Sequence, residues 1–405
     1  NVAKLWWEGR PKYTRIQSAS VASGRPIILF NLHDNIYAYK TSYDDTTTYI
    51  GTIDLNSGSV SQLVSTGGDI VEKLDDNSII CVSYSTDKEG DPRDLYIDMR
   101  YYNGSTWENT DLRETISTLV GNRNYGYNGS AYRGIRLAYL GDGNLSFMYN
   151  TGYYPHYPNN SMILNRSGST VIKNTNAMPF IFIANKASTH YDSSIRRPEG
   201  PFAIHPELPQ HVAVSYCSGA GSSSSEYGAH LSYTNRTLNN GSDSIWVSGS
   251  SNSSDDFYST GVAWIDKTHV ICGSIARWVY SPHTGEYSIH DLSGPMALTS
   301  GSGYGGNTKL IEESYSGTSG DRTYPSVHLS IADFGDYNAL GIWDNCIGFV
   351  NIASYSNLSF DGIFPSSSRY TVNGLSSACV SCVVKNGSGY VVSLYNGQWI
   401  YVNPQ

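Results

Sequence analysis

Residues that can act as acids, bases or ion-pair partners are concentrated in one stretch of sixteen residues, "HYDSSIRRPEGPFAIH" at 190–205. Among them are His190, Tyr191, Arg196, Arg197, Glu199 and His205. Only 15% of the chain is charged, against roughly 25% in an average soluble protein, so this cluster is the densest of its kind. Histidine or tyrosine can remove a proton next to a carboxylate that arginine neutralises. The stretch is therefore a candidate functional site.

Aromatic residues suggest a second kind of chemistry, stacking on sugar rings. The chain has 33 Tyr and 8 Trp, a composition typical of rigid recognition surfaces when Asn, Ser and Gly accompany it. The runs at 122–132 and 149–161 predict exposed aromatic loops, with packing between strands as the alternative. This composition is common in viral tail and cell-surface adhesion proteins, so we expect an extracellular or virion-surface location.

The net charge is −9 and the isoelectric point about 5.5. Both values argue against binding to duplex nucleic acid, which depends on clustered Lys and Arg. No apolar run approaches the roughly 20 residues of a membrane-spanning helix, so we expect no membrane insertion.

The six cysteines fall mostly in apolar runs, where a free thiol behaves as a small hydrophobic side chain. Cys379 and Cys382 have the spacing of one of the two ligand pairs in a zinc site, but no second pair accompanies them. We predict mostly free, buried thiols, no metal site and no cofactor.

Strands, not helices, must position these groups. Tyr, Thr, Val and Ile favour strands, while Gly, Asn, Ser and Asp form turns. Seven hairpin cores recur, among them "IRLAYLGDGNLSFMYN" and "VEKLDDNSIICVSYS". Dividing 405 residues by seven gives about 58 for each unit, which fits a four-stranded propeller blade with long loops. We predict an all-β protein, a single β-propeller domain of about seven four-stranded blades over 1–405.

Runs such as "SIICVSY" are apolar at successive positions, as expected where both faces of a strand are covered. The ring should close by pairing the two chain ends, with "PIILFNL" and "GQWIYVN" as the predicted strands. The alternative is two β-sandwich domains that meet near the Ser-rich run at 217–228.

The chain resembles the BNR-repeat, sialidase-like propellers, a group of sialidases, propeller-shaped polysaccharide lyases and glycosidases. "YTRIQSASVASGRPIILF" is similar to the opening Arg-Ile-Pro strand of sialidases, with Arg15 at the arginine position and Gln17 in place of the proline. "DRTYPSVHL" offers Arg322 ahead of a Tyr-Pro-Ser strand, and "YYNGSTWEN" approximates an Asp-box.

The resemblance implies arginines that hold a carboxylate through charge-assisted bonds. The candidates, each predicted near the start of an inner strand, are Arg15, Arg136, Arg197 and Arg322. It also implies a tyrosine nucleophile with a nearby acid, for which Tyr324 with Glu199 or Glu313 is the candidate. Salt bridges between blades are the alternative role for the arginines.

A lyase would need a base, for which His33, His190 and His205 are the candidates. The family's lyases carry an acidic-histidine motif in an early blade, and the corresponding "STGGDIVEKLDDNS" has no histidine, which disfavours a lyase. The leading expectation is carbohydrate recognition, with an acidic polysaccharide as one ligand. The alternative is a glycosidase or polysaccharide lyase.

Overall fold

The computed structural model describes residues 12–43, 45, 47–67, 70–84, 95–112, 136–149, 160–174, 202–207, 211–218, 227–235, 243–250, 255–278, 284–291, 309–316, 329–352, 359–376 and 378–405. These residues form strands, apart from one four-residue helix, α1 (Phe360–Ile363), and a 3-10 turn at Ser366–Ser368. No helix in this part of the chain is long and apolar enough to cross a membrane.

The described strands form seven four-stranded antiparallel sheets, which are the blades of a β-propeller. Blade 1 contains β2 (Ile27–His33), β3 (Ile36–Lys40), β4 (Thr48–Ile53) and β5 (Val60–Thr66). Blade 2 contains β6 (Ile70–Asp75), β7 (Ser78–Tyr84), β8 (Leu95–Tyr102) and β9 (Trp107–Asp111). Blade 3 contains β10 (Arg136–Tyr139), β11 (Leu145–Tyr149), β12 (Asn160–Ser167) and β13 (Thr170–Asn174). Blade 4 contains β14 (Phe202–Ile204), β15 (His211–Ser218), β16 (Tyr227–Asn235) and β17 (Asp243–Ser250).

The remaining three blades complete the ring. Blade 5 contains β18 (Asp255–Trp264), β19 (His269–Trp278), β20 (Thr284–Asp291) and β21 (Lys309–Ser316). Blade 6 contains β22 (Ser330–Asp333), β23 (Ala339–Trp343), β24 (Cys346–Phe349) and β25 (Arg369–Thr371). Blade 7 contains β26 (Val380–Asn386), β27 (Gly389–Leu394), β28 (Trp399–Pro404) and, as its outermost strand, β1 (Ile16–Ala22).

The first strands of the blades surround a central channel. β2 lies beside β6 and β26, β6 beside β10, β18 beside β14 and β22, and β22 beside β26. We call the end of the ring at which the first strands begin the upper end, and the end at which they finish the lower end.

The two chain ends close the ring, as predicted, but the N-terminal partner differs from the predicted strand. β1 pairs with β28, with Ala19 opposite Val402 and Ala22 opposite Trp399. The predicted partner "PIILFNL" is instead β2, the first strand of blade 1. The burial of β1 explains the difference, because Ile16 is its only buried residue and its sequence therefore lacks the alternation of a half-buried strand.

The predicted covering of both strand faces is confirmed in β7. Ile79 and Cys81 pack in a cluster with Leu32 of blade 1, while Ile80 and Val82 pack in a cluster with Phe147 of blade 3. Side chains alternate between the two faces of a strand, so each face of β7 meets a different blade.

The Ser-rich run at 217–228 does not separate two domains. β15 and β16, which flank it, pair directly in one sheet, with Ser218 opposite Gly228. In the alternative prediction, two β-sandwich domains meet at this run. The run instead connects two strands of one blade.

Candidate functional site

The carboxyl group of Glu72 is the centre of the candidate site. Glu72 lies in β6, the first strand of blade 2. β6 is an edge strand, so some of its N–H groups have no neighbouring strand to bind. The Lys73 N–H donates to Glu72 Oε1 at 2.8 Å, which holds the carboxyl close to its own backbone.

Glu72 interacts electrostatically with two side chains of blade 7, Cys382 and Tyr395. Blade 1 separates blade 2 from blade 7 around the ring. Glu72 therefore lies within electrostatic range of blade 7, and its partly exposed side chain belongs to a strand that borders the channel.

Two tyrosines from the blade 1 and blade 7 side of the ring also belong to the site. The rings of Tyr43 and Tyr395 are 5.9 Å apart in an edge-to-face arrangement, and both pack on Ile27 and Leu29 of β2. Tyr395 belongs to the turn between β27 and β28, and its N–H donates to the Cys379 carbonyl at 3.0 Å. These contacts place the tyrosine pair at the upper end of blades 1 and 7.

Burial disfavours the charged forms of Glu72, Cys382 and Tyr395. Burial raises the pKa of Glu72 to about 8, against the opposing effects of the Lys73 N–H and the Lys73 charge. Burial also raises the pKa of Cys382 to about 12 and raises that of Tyr395. Glu72 is only partly buried, so solvent and ligands still reach it.

The neighbouring cation does not neutralise Glu72, because its ammonium group is bound elsewhere. Lys73 Nζ donates to the Leu32 carbonyl at 2.5 Å and to Asp76 Oδ1 at 2.6 Å. Among the described side chains no cation pairs with Glu72. Its partly desolvated carboxyl therefore favours the protonated form. Such perturbed groups are candidates for function.

A protonated carboxyl and tyrosine hydroxyls can each donate and accept hydrogen bonds. The arrangement suits a polar ligand that offers both kinds of group. Over the described residues, no group of three or more His, Cys, Asp or Glu side chains is placed to hold a metal ion.

Arg136 begins β10 and therefore lies at the upper end, in the blade next to Glu72. Its backbone is paired with Met148 of β11. Its side chain lies outside the described part of the structure, so its predicted role in binding a carboxylate stays a prediction.

Arg15 does not lie at the start of an inner strand, contrary to the sequence-based expectation. It precedes β1, the outermost strand of blade 7, at the lower end. Its Nε and Nη2 donate to Gln405 Oε1 at 2.9 and 2.6 Å. The side chain thus joins the two chain ends, away from Glu72.

His33 also lies at the lower end, as the last residue of β2. Its Nδ1 is 3.2 Å from Oδ2 of the exposed Asp34. His33 and Arg136 occupy opposite ends of the ring, so the structure does not bring these two predicted binding residues together.

His205 follows β14 at the lower end, where it is 1% exposed. Nε2 donates to the Lys267 carbonyl at 3.0 Å, and Nδ1 accepts from the Glu207 N–H at 3.1 Å. The ring packs edge-on against Trp264 at 4.7 Å and Tyr337 at 5.5 Å. Burial lowers the pKa of His205, although the bond to Lys267 opposes this. These contacts join blades 4, 5 and 6 around the buried ring, and the predicted catalytic role of His205 stays a prediction.

The other predicted site residues lie outside the described residues. They are His190, Tyr191, Arg196, Arg197, Glu199, Arg322 and Tyr324. Glu313 lies in β21, an outermost strand, and its side chain is likewise not described.

Glu72 was not among the site residues predicted from the sequence. A signal was present, since Glu72 follows the apolar pair "IV" at 70–71, at the start of the hairpin core "VEKLDDNSIICVSYS". An isolated acid in a strand covered on both faces must either find a cation or face a solvent-filled space.

Cys81 and Cys272 are buried free thiols, and Cys346 and Cys382 are partly buried free thiols. Burial raises the pKa of Cys81 to about 12. The Cys81 thiol is therefore protonated at neutral pH.

The sequence matches no protein-family model and no curated protein. Similar solved structures include virginiamycin B lyase from Staphylococcus aureus, 8% identical with a TM-score of 0.41 over 95% of this chain and 99% of that one. A putative 6-phosphogluconolactonase from Bacteroides fragilis is 8% identical, with a TM-score of 0.43 over 84% of this chain and 82% of that one. Sqt1 from Saccharomyces cerevisiae is 9% identical, with a TM-score of 0.41 over 97% of this chain and all of that one.

Proposed function

We propose that the protein recognises carbohydrate at the upper mouth of its channel, as a receptor-binding or adhesion module at a cell or virion surface. The observation that carries this proposal is the proximity of a partly buried carboxyl, Glu72, to Tyr395 at the upper end of blade 7, where they interact electrostatically.

Sugar hydroxyls donate and accept hydrogen bonds, and sugar ring faces stack on aromatic side chains. A neutral carboxyl and a tyrosine hydroxyl match the first property. The partly exposed Tyr395 ring, packed edge-on against the buried Tyr43, supplies apolar surface for the second. The channel mouth of a ring is also concave, as ligand sites usually are.

The resemblance to BNR-repeat, sialidase-like propellers supports the same ligand class. In that family arrangement Arg136, Arg197 and Arg322 would approach the channel mouth from blades 3, 4 and 6. Arg136 begins β10 at the end where Glu72 and the tyrosines lie.

A glycan array tests the proposal, with the unmodified protein and the Glu72→Ala variant compared after both are shown to fold. We expect binding to a limited set of glycans and a roughly tenfold or greater loss in Glu72→Ala, as for a lost hydrogen bond to a polar ligand. Absence of binding to every glycan would contradict the proposal. Asp142→Asn, an exposed change at the lower end, is the matched control.

The raised pKa of Glu72 favours one second function, a glycan-cleaving enzyme. A carboxyl that stays protonated near neutral pH can protonate a leaving glycosidic oxygen. Release of reducing ends, abolished in Glu72→Gln, would identify a hydrolase. An unsaturated product that absorbs in the ultraviolet would identify a lyase instead.

A further inference from the structure

We infer that the protein has a second glycan-binding site, which takes a neutral sugar chain and lies on the side of blade 2 that is turned towards blade 1. The site is built on β8 and β9, the third and the outermost strand of blade 2. We call this surface of β8 and β9 the lateral face. It shares no residue with the upper mouth of the channel, so the inference goes beyond the proposed function.

The packing of β8 shows which of its side chains belong to the lateral face. Met99 and Tyr101 pack in one cluster with Phe147 of blade 3, so the alternate residues of the strand point towards blade 1. On β9, Trp107 packs against the cluster that contains Ile50 of blade 1. Trp107 therefore lies on the same face as the even-numbered residues of β8.

Three cross-strand pairs follow one another along the lateral face, from the lower end towards the upper end. They are Tyr102–Trp107, Arg100–Asn109 and Asp98–Asp111. The Cβ atoms of a directly opposite pair are about 5 Å apart, and successive pairs on one face are about 7 Å apart. The face thus presents an aromatic pair, then a guanidinium with an amide, then two carboxyl groups.

A ligand can reach the first two pairs. Tyr102 is 37% exposed, Asn109 is exposed, and Arg100 and Trp107 are partly exposed. The ring centroids of Tyr102 and Trp107 are 5.9 Å apart, with the ring planes inclined at 47°. The two rings form one aromatic surface at the edge of the blade, of the kind on which a sugar ring stacks.

Arg100 has no hydrogen-bond or ion-pair partner within the described part of the chain, and its Nε is buried. The other arginines whose side chains the structure describes each donate to an oxygen atom; they are Arg15, Arg25, Arg166 and Arg369. A buried donor without an acceptor costs free energy. A ligand that brings an acceptor to this guanidinium would therefore be bound favourably.

The mixture of groups favours a neutral sugar over an acidic one. Sugar hydroxyls can accept from Arg100 and Asn109 and can also donate to a carboxylate oxygen of Asp98 or Asp111, since a carboxylate oxygen accepts more than one hydrogen bond. An acidic sugar held at Arg100 would lie about 7 Å from these two carboxylates and be repelled by them. The net charge of −9 acts in the same direction, because it repels anions from the whole molecule.

A glycan array with neutral and acidic glycans tests the inference in the Glu72→Ala background, which removes the proposed binding at the upper mouth. The variants of the lateral face are Tyr102→Ala, Asn109→Ala and Arg100→Gln, each first shown to fold by its melting curve. Thr110→Ala is the matched control, because Thr110 pairs with Met99 on the opposite face of the same two strands.

We expect a set of neutral glycans to remain bound by Glu72→Ala. Their affinity should fall roughly tenfold in each variant of the lateral face, as for one lost hydrogen bond or ring contact, and should not change with Thr110→Ala. It should also be insensitive to added sodium chloride, whereas the binding of an acidic glycan would weaken.

The outcomes separate this inference from the proposed function. Neutral glycans that bind equally well with and without Glu72, and are lost in the lateral-face variants, would support the inference and contradict the proposed site. Loss of all binding in Glu72→Ala, or unchanged binding in every lateral-face variant, would overturn the inference and leave carbohydrate recognition standing. A salt-sensitive preference of the lateral face for acidic glycans would overturn the neutral ligand class. Absence of binding to every glycan would overturn both proposals.

Discussion

At the scale of single residues, the fold opposes the ionisation of Glu72. Its pKa is about 8 in the folded protein and near 4.5 in an unfolded chain. Its contribution to stability is therefore complete below pH 4.5 and is lost as the pH rises through 8.

Glu72→Gln replaces the protonated carboxyl by a neutral group of the same shape. We expect this variant to melt a few degrees above the unmodified protein at pH 8, with the difference vanishing towards pH 4.5. Melting curves across this pH range measure the effect. A difference that is independent of pH would show that Glu72 ionises normally. Asp142→Asn should give no such pH-dependent gain.

His205 gives the opposite pH dependence. Its pKa lies below 6.5 in the folded protein because burial disfavours the charged ring, so its contribution is present above pH 6.5 and is lost as the pH falls towards the folded pKa. We expect the free energy of unfolding to decrease below pH 6.5, and the His205 ring to remain neutral in NMR titrations at pH 6.5. A normal titration of this ring would show that burial does not disfavour its charged form.

At the scale of elements, two hairpins use the same turn. "LGDGN" at 140–144 and "FGDYN" at 334–338 each place an Asp at positive φ, 51° at Asp142 and 47° at Asp336. In both turns the final Asn side chain donates to two carbonyls of the turn. A tight turn between two strands needs positive φ values to match the right-handed twist of the strands. Asp tolerates such values better than most residues.

The two Asn residues differ in one contact, which gives a matched pair of variants. Asn338 Oδ1 also accepts from the Tyr13 N–H at 2.7 Å and thereby ties the N-terminal segment to blade 6. We expect Asn144→Ala to cost about 1 kcal/mol and Asn338→Ala to cost about 1 kcal/mol more. Urea denaturation measures both, and equal losses would show that the Tyr13 contact contributes nothing.

The N-terminal segment itself spans three blades at the lower end. Lys12 Nζ donates to the Ile265 carbonyl of blade 5 at 2.5 Å. The Tyr13 hydroxyl is 3.0 Å from that of Tyr390 in blade 7, and its ring lies 5.4 Å from that of Phe349 in blade 6. This segment therefore fastens blades 5, 6 and 7 in addition to the strand pairing of β1.

The sequence predicts elements better than it predicts the site, for a physical reason. Hairpins and doubly covered strands such as β7 leave a local signal in turn residues and apolar runs. The position of Glu72 relative to Tyr395 depends on closure of the ring, which brings residues far apart in sequence to one channel. β1 was not predicted as the closing strand because an outermost strand has one exposed face and needs few apolar residues, as Ile16 shows.

At the scale of the whole molecule, ring closure connects every blade to two neighbours. Blade 7 alone is built from both chain ends, with β1 hydrogen-bonded to β28 from Ile16 to Ala22. The buried Trp399 of β28 also donates from Nε1 to the Pro26 carbonyl at 2.7 Å, where blade 1 begins. Loss of either chain end should therefore weaken the packing of blades 1 and 6 against blade 7.

Removal of residues 12–22 tests this consequence of closure. The shortened chain leaves the edge of β28 unpaired and removes the Tyr13 contacts with blades 6 and 7, so we expect a lower melting temperature and faster amide exchange in β26–β28. A synthetic peptide of residues 12–22 should restore both values, because the edge of β28 offers the same backbone groups to a strand added in trans. A peptide of scrambled sequence is the control. An unchanged melting temperature in the shortened chain would show that the ring is held by packing between blades and not by its closing strand.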